Sequence, residues 1–453
     1  MRRGLQVVIL LKNTATGILA PVLTLALLRH GASIGTLSLM IGAYSLTVIV
    51  MEFPSGLFAD LYGRKTAFLV ACACGVLSYG LLLLAHSPVL LLAGMAVSGL
   101  SRAFASGSLD ALAMDAAPDG IAIARVSARL AMLESAGLAV GALGGGLLAG
   151  IGTAYEANLC LNLLIYASLI PLTALAVQEA RKPVVIAATA AAGGASTPAA
   201  QCCAEALSPA RQAGDITQGC EAAIPLTRQA VATSSAVQTP PPRNLHGFLR
   251  QAKRSLAFVA HSAMARALFL LAFVTGTALA AVETYWQPAL EALAPAPWLL
   301  GAFSFLGFCA VMLASVWAER RMIRRPQTGL GFVLGHKALM AACVGLLAAS
   351  RGPGAFLGAY LGAYLFLGAG GIAETTLLNR EAPSTERAGI LSLFSFTLQA
   401  GGLLSALLGY LISARGDFRL TWVVGAALLL GALAWLTLRR QVAAGCERLS
   451  QRG

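Results

Sequence analysis

Apolar and polar positions alternate along this chain on a scale of about 20 residues, the length a helix needs to cross a bilayer, rather than on the scale of one helical turn. Apolar runs lie near 5–28, 37–59, 67–85, 88–108, 128–150 and 158–177, and again near 267–288, 298–318, 329–349, 354–373, 388–412 and 420–438. The pattern predicts an all-α polytopic membrane protein with 12 transmembrane helices in two six-helix bundles, 1–177 and 267–438, followed by a short tail, 439–453. Between the bundles, residues 178–246 are rich in Ala, Thr, Ser, Gln and Pro and include Thr239-Pro240-Pro241-Pro242, the composition of a disordered tether. Over 247–266, Phe248, Leu249, Ala252, Leu256 and Val259 alternate with Arg250, Lys253 and Arg254 at helical spacing. That segment reads either as a basic amphipathic helix on a membrane surface or as a solvated extension of the seventh span.

Composition agrees: 58% of the 453 residues are hydrophobic and 11% charged. A mean hydropathy of +0.77 exceeds what a water-soluble core uses. The formal charge of +13 would suit a nucleic-acid binder, but most of the 32 Lys and Arg fall in alternate hinges and the two termini. Arg29, Arg351, Arg415 and Arg419 lie in the other hinges, and Lys12, Arg102 and Lys337 inside apolar runs. Such asymmetry is membrane topology, so both termini are expected in the cytoplasm, the chain in the cell inner membrane, and no nucleic acid as partner. The N-terminal run carries Lys12 and Asn13 and is long enough to span, unlike a cleaved leader. The nine Cys show no metal or disulfide spacing.

The hinge between the second and third runs, Gly56-Leu57-Phe58-Ala59-Asp60-Leu61-Tyr62-Gly63-Arg64-Lys65-Thr66, is short, polar and doubly basic. It resembles the signature between the second and third helices of major facilitator superfamily transporters. The resemblance implies six plus six helices in parallel halves, transport by alternating access, and a gating motif of Gly56, Asp60, Gly63, Arg64 and Lys65. There Asp60 would pair with the Arg of its own hinge and with the N-terminus of the eleventh helix near residues 388–391, a charge meeting a helix dipole. The halves also repeat: Gly107-x-x-Asp110-x-x-x-x-Asp115 has a counterpart in Gly371-x-x-Glu374-x-x-x-x-Asn379. On the fifth run, Gly137-x-x-x-Gly141-Ala142-x-Gly144-Gly145 resembles the antiporter signature of drug exporters, with Ala142 where those have Pro. Close helix packing accounts for the same glycines equally well.

Polar residues inside the spans are candidates for substrate or proton handling, because burying them in hydrocarbon is costly. Glu52, Gly56 and Asp60 share one face of the second helix, and Ser98, Arg102 and Ser106 one face of the fourth. Glu134 borders the glycine row of the fifth, Glu283 and Gln287 share a face of the seventh, and Asp110, Glu374 and Asn379 lie in the repeated motif. Glu283 could equally be an interfacial charge. Lys12 and Lys337 read as snorkelling cations, and Trp286, Trp298 and Trp422 as interface anchors. No phosphate loop, His-Glu-x-x-His or Cys-x-x-Cys occurs, so neither cofactor, metal nor enzymatic activity is expected. The expected function is secondary transport of a small molecule by a monomer, with proton-coupled efflux of a drug-like compound or metabolite as the preferred form. Import, facilitated diffusion, and a non-transporting receptor or scaffold of the same fold are the alternatives.

Overall fold

A computed structural model describes residues 3–106, 108–114, 120–152, 154–177, 245–293, 296–325, 329–383, 386–413 and 416–450. The tether expected over 178–246 lies, up to residue 244, outside the described residues. The described residues belong to one compact unit. Among the described residues every regular element is a helix, as hydrocarbon demands of a chain that must satisfy its own backbone.

The first half comprises α1 (Arg3–Leu19), α2 (Leu23–Arg29), α3 (Ile34–Tyr62), α4 (Arg64–Leu84), α5 (Pro88–Ala105), the short α6 (Ser108–Met114), α7 (Gly120–Leu148) and α8 (Glu156–Ala176). The second comprises α9 (Leu245–His261), α10 (Ala263–Leu293), α11 (Pro297–Arg324), α12 (Leu330–Ala349), α13 (Pro353–Glu381), α14 (Arg387–Ser413) and α15 (Arg419–Ser450). Among the described residues eleven helices are long and apolar enough to cross a membrane, or twelve when the broken pair α1 with α2 is counted as one span.

That pair corrects the continuous first span expected over 5–28. Pro21 has no N–H to give the helical ladder, so α1 ends at Leu19 and α2 departs at 53°. The amphipathic segment is a helix of its own that ends at His261, and residues 263–266 begin the next helix instead of completing it. Residues 439–450, expected as tail, continue α15.

Starts and stops follow local chemistry. Ser33 caps α3 through the Thr36 amide in a reciprocal capping box, and Ser87 caps α5 ahead of Pro88. Between α3 and α4 stands one residue, Gly63, at φ 100°, a backbone conformation that a side chain resists.

The halves are built alike. In the first, α1 packs on α7 and α8, α3 on α5, and α4 on α5 and α8. In the second, α10 packs on α14 and α15, α11 on α13, and α12 on α13 and α15. The contacts between halves repeat the symmetry: α7 meets α11, and α3 meets α14. Glycines allow the tightest of these approaches. A Cβ on Gly137, Gly141 or Gly145 of α7 would collide with the backbone of α1, and one on Gly401 of α14 with the Phe273 carbonyl of α10. Gly144 stands to one side of this row, and a Cβ there meets no atom within 4 Å. Large exposed apolar residues such as Val50, Leu77, Leu143 and Leu346 supply the surface that faces lipid.

Gly141→Leu and Gly401→Leu should each lower the thermal unfolding temperature of the purified chain by overpacking, at a cost of about 1–3 kcal/mol or more, whereas Gly144→Leu should leave it unchanged. Equal unfolding temperatures for all three would contradict this packing.

Candidate functional site: the space between the halves

The spans run alternately, so one end of the molecule carries Gly63 and the α8 and α15 C-termini, and the other carries the α2–α3 and α10–α11 connections. We call these the hairpin end and the far end. Described side-chain hydrogen bonds between the halves lie at the far end. Gln287 of α10 reaches into the break between α1 and α2: its Oε1 accepts from the Thr24 amide at 2.9 Å and the Thr24 hydroxyl at 2.7 Å, and its Nε2 donates to the Ala20 carbonyl at 2.8 Å. Thr24 N and Ala20 O are the two groups an unbroken helix would pair with each other. One amide from the opposite half therefore replaces the bond that Pro21 interrupts.

Around this contact, Arg29 pairs with Glu291 at 2.9 Å, and Tyr155 donates to the same carboxylate at 3.3 Å. Burial, with the Glu291 charge beside it, pushes the Tyr155 phenol up to about 12, so it stays neutral and remains a donor. Ser38 of α3 bonds the Tyr285 hydroxyl, which also accepts from Ser413 at 2.8 Å. Gly146 and Gly301 bring α7 and α11 into backbone contact at the same end.

Below the seal lies Glu283. Helix α10 is buried on nearly every side, and between Ala267 and Glu291 its only exposed residue is Glu283. Helix α10 packs on α14, α15, α13 and the first half, and Glu283 stands on the side of it about opposite Val274. The Tyr364 hydroxyl of α13 donates to the Glu283 carboxylate, and Tyr364 is followed by the ring pairs Tyr364–Tyr360 at 4.6 Å and Tyr360–Trp286 at 5.1 Å. Among the described residues, no cation pairs with Glu283.

In the first half, Arg102 is exposed on α5, on the face that also carries Ser98. Deeper in the same half, Tyr166 of α8 packs on Tyr79 of α4 at 5.2 Å. The close approach of Gly99 to the Tyr44 carbonyl holds α5 and α3 together.

The remaining expected residues scatter. Glu52 is half-buried and Gly56 exposed on α3, Glu134 is half-buried on α7 and engaged with a neighbour, and Asn379 is half-buried near the end of α13. Arg64 and Lys65 are half-buried, and Lys65 donates to the Ala174 carbonyl at 2.7 Å. Asp60 and Asp110 sit on α3 and α6, and their side chains lie outside the described residues.

Several expectations change. Lys337 does not snorkel: it is 1% exposed and pairs with Glu374 at 2.9 Å, in room left by Gly370. With side chains 1% and 5% exposed, the pair is buried within the second half, and among the described residues Glu374 Oε1 has no further hydrogen-bond partner. Trp286 and Trp422 are buried rather than interfacial, Trp422 donating from Nε1 to the Ala281 carbonyl at 2.9 Å. Only Trp298 keeps the exposure of an anchor. The seal partners Thr24, Arg29, Ser38 and Tyr155, and Tyr364 beside Glu283, escaped the sequence reading. Pro21 inside an apolar run and the Tyr360–Tyr364 spacing were the signals available for them.

The model for the family described as Major Facilitator Superfamily matches residues 7–373. The chain belongs to the major facilitator superfamily. No curated protein sequence matches it. Solved structures share its fold: the nucleoside transporter NupG, at 10% identity over 96% of this chain and 98% of that one, has a TM-score of 0.67. A POT family transporter in complex with a thioalcohol-conjugated peptide, at 12% identity over 97% and 96%, scores 0.65. A bacterial homolog of the human lysosomal transporter Spinster, inward-facing and occupied, scores 0.66 at 13% identity over 97% and 96%. As a superfamily member this chain is a multi-pass membrane protein and a transporter of small molecules.

Two measurements test the superfamily architecture described above. Gly42→Cys with Ala406→Cys places two thiols where α3 meets α14, and they should cross-link readily. Adding Gln287→Ala strands Thr24 N and Ala20 O in an apolar interior, and cross-linking should slow several-fold; an unchanged rate would remove Gln287 from the seal. For the buried pair, Lys337→Met and Glu374→Gln singly should each cost about 3–5 kcal/mol in thermal stability, and the double variant much less than their sum. Additive losses would show that the two charges do not interact.

Proposed function

We propose that this chain is a secondary active transporter that exports a small molecule by alternating access, with Glu283 as the group that takes up and releases the coupling proton. The observation that carries this reading is the exposure of Glu283 in mid-helix on an otherwise buried α10, with the neutral Tyr364 hydroxyl as its partner. A carboxylate that meets water only through an enclosed space gains or loses its proton according to the side on which that space opens. Protonation changes which halves-together arrangement it favours.

Sidedness follows from charge. Arg64 and Lys65 at the hairpin end, with Arg250, Lys253 and Arg254 exposed on α9, support a cytoplasmic position for that end and both termini, in a cell inner membrane. The far-end seal then makes this an inward-facing state, the arrangement also named for the Spinster homolog. Substrate enters from the cytoplasm between Arg102 and Glu283. Rocking of the halves breaks the Gln287 and Glu291 contacts and frees substrate on the far side, where Glu283 takes a proton that it later gives to the cytoplasm. The glycine row on α7 lets the halves' helices stay tightly packed through the motion, and the chain acts as a monomer. Asp60 serves as the hairpin-side latch that forms when the far end opens.

In everted vesicles with an acidified lumen, compounds from a toxic-compound panel that the wild type exports should release protons, read by a pH-sensitive dye. Glu283→Gln should give no compound-dependent proton release, although the variant still exchanges the same compound across the membrane without a gradient. Undiminished proton release from Glu283→Gln would overturn the assignment.

A further inference from the structure

An apolar groove of about 650 Å³ runs along the lipid face between α10 and α15. Leu270 and Val274 form one wall, and Val424, Leu428 and Trp435 the other. Gly431 forms part of the floor, and a Cβ there would meet no atom within 4 Å, so the space is open. The groove exists because the two helices touch tightly only beyond it, where Gly425 lies against Ala278 and Trp422 bonds the Ala281 carbonyl.

Those two contacts fix an antiparallel register, each step forward on α15 matching one step back on α10. Carried towards the hairpin end, that register brings Arg266 level with Thr437, within a turn of Arg439. Arg266 shares a helical face with Leu270 and Val274 at i+4 and i+8. Both arginines are exposed. The Arg439 guanidinium stacks 4.5 Å from the Trp435 ring centre, and Arg266 spends one donor on the Ala260 carbonyl. The apolar groove therefore ends, on each wall, in an arginine.

From Val424 to Trp435 the groove follows α15 for about 16 Å at ~1.5 Å per residue, half of the ~30 Å hydrocarbon thickness and so the depth of one leaflet. We propose that this groove holds one acyl chain of an anionic phospholipid, whose phosphate is bound between Arg266 and Arg439. Charge selects the lipid: α9, packed on α10 at the same end, exposes Arg250, Lys253 and Arg254, a field that favours a net negative headgroup over a zwitterionic one. The bound lipid would brace the outer wall of α10, the helix whose opposite side presents Glu283 and Gln287.

The test uses the full chain in detergent with added phosphatidylglycerol or phosphatidylcholine of matched acyl chains, read by thermal unfolding against lipid concentration. Phosphatidylglycerol should raise the unfolding temperature of the wild type well above the phosphatidylcholine effect. Arg266→Gln with Arg439→Gln should weaken that response roughly tenfold or more in lipid concentration, with the lipid-free unfolding temperature unchanged. Gly431→Phe, which fills open space and keeps both charges, should abolish the response as well. Equal responses to the two lipids, an undiminished response in the double variant, or a full response in Gly431→Phe would each overturn the proposal, as would an equal shift from glycerol phosphate alone.

Discussion

One interrupted hydrogen bond sets much of this structure. Pro21 cannot donate to the helical ladder, and the bend it causes leaves the Thr24 amide and the Ala20 carbonyl apart in a region without water. Gln287, from the other half of the chain, accepts from one and donates to the other. The first span is thus complete only when the halves are together at the far end. Both backbone groups must find other partners, water being the available one, whenever the halves part there. A junction of this kind is strong enough to define a closed state and weak enough to exchange, since each bond contributes about 1 kcal/mol net once water can replace it.

The rest of the far-end contact has the same character. The Arg29–Glu291 pair is substantially exposed and so contributes roughly 0–1 kcal/mol, while the Ser38–Tyr285–Ser413 chain consists of hydroxyls. Within each half, backbone packs against rows of glycines, α1 on α7 and α10 on α14, whereas between the halves such an approach joins α7 and α11 at Gly146 and Gly301. Those surfaces resist sliding, because interlocked small-residue contacts have few alternative arrangements. Rigid halves with an exchangeable seam are what alternating access requires, and the pseudo-symmetric pairing of α7 with α11 and α3 with α14 provides two matching seams along which to rock.

The sequence made the spans legible because hydrocarbon imposes a length and a composition that no other environment does. It also disclosed the Gly63 turn, since no other residue type suits φ 100° so well. Pairings across hundreds of residues were not legible. Nothing local distinguishes Lys337, which is buried against Glu374, from a lysine that reaches the interface, and Trp422 at a span end looks like an anchor until α10 is packed on it. Glu283 was readable as a candidate from its residue type, but its standing came from the burial of its neighbours on α10. The hairpin motif centred on Asp60 was the strongest sequence signal, and its latch lies outside the described side chains.

The central claim is that Glu283 faces a space whose access changes ends. Glu283→Cys, in a background with the native cysteines replaced, can be labelled by a membrane-impermeant thiol reagent supplied on one face at a time. The account predicts labelling from the hairpin side at rest, and from the far side only while an exported compound and a proton gradient drive turnover. Labelling from neither face, or from the hairpin side alone under both conditions, would contradict it.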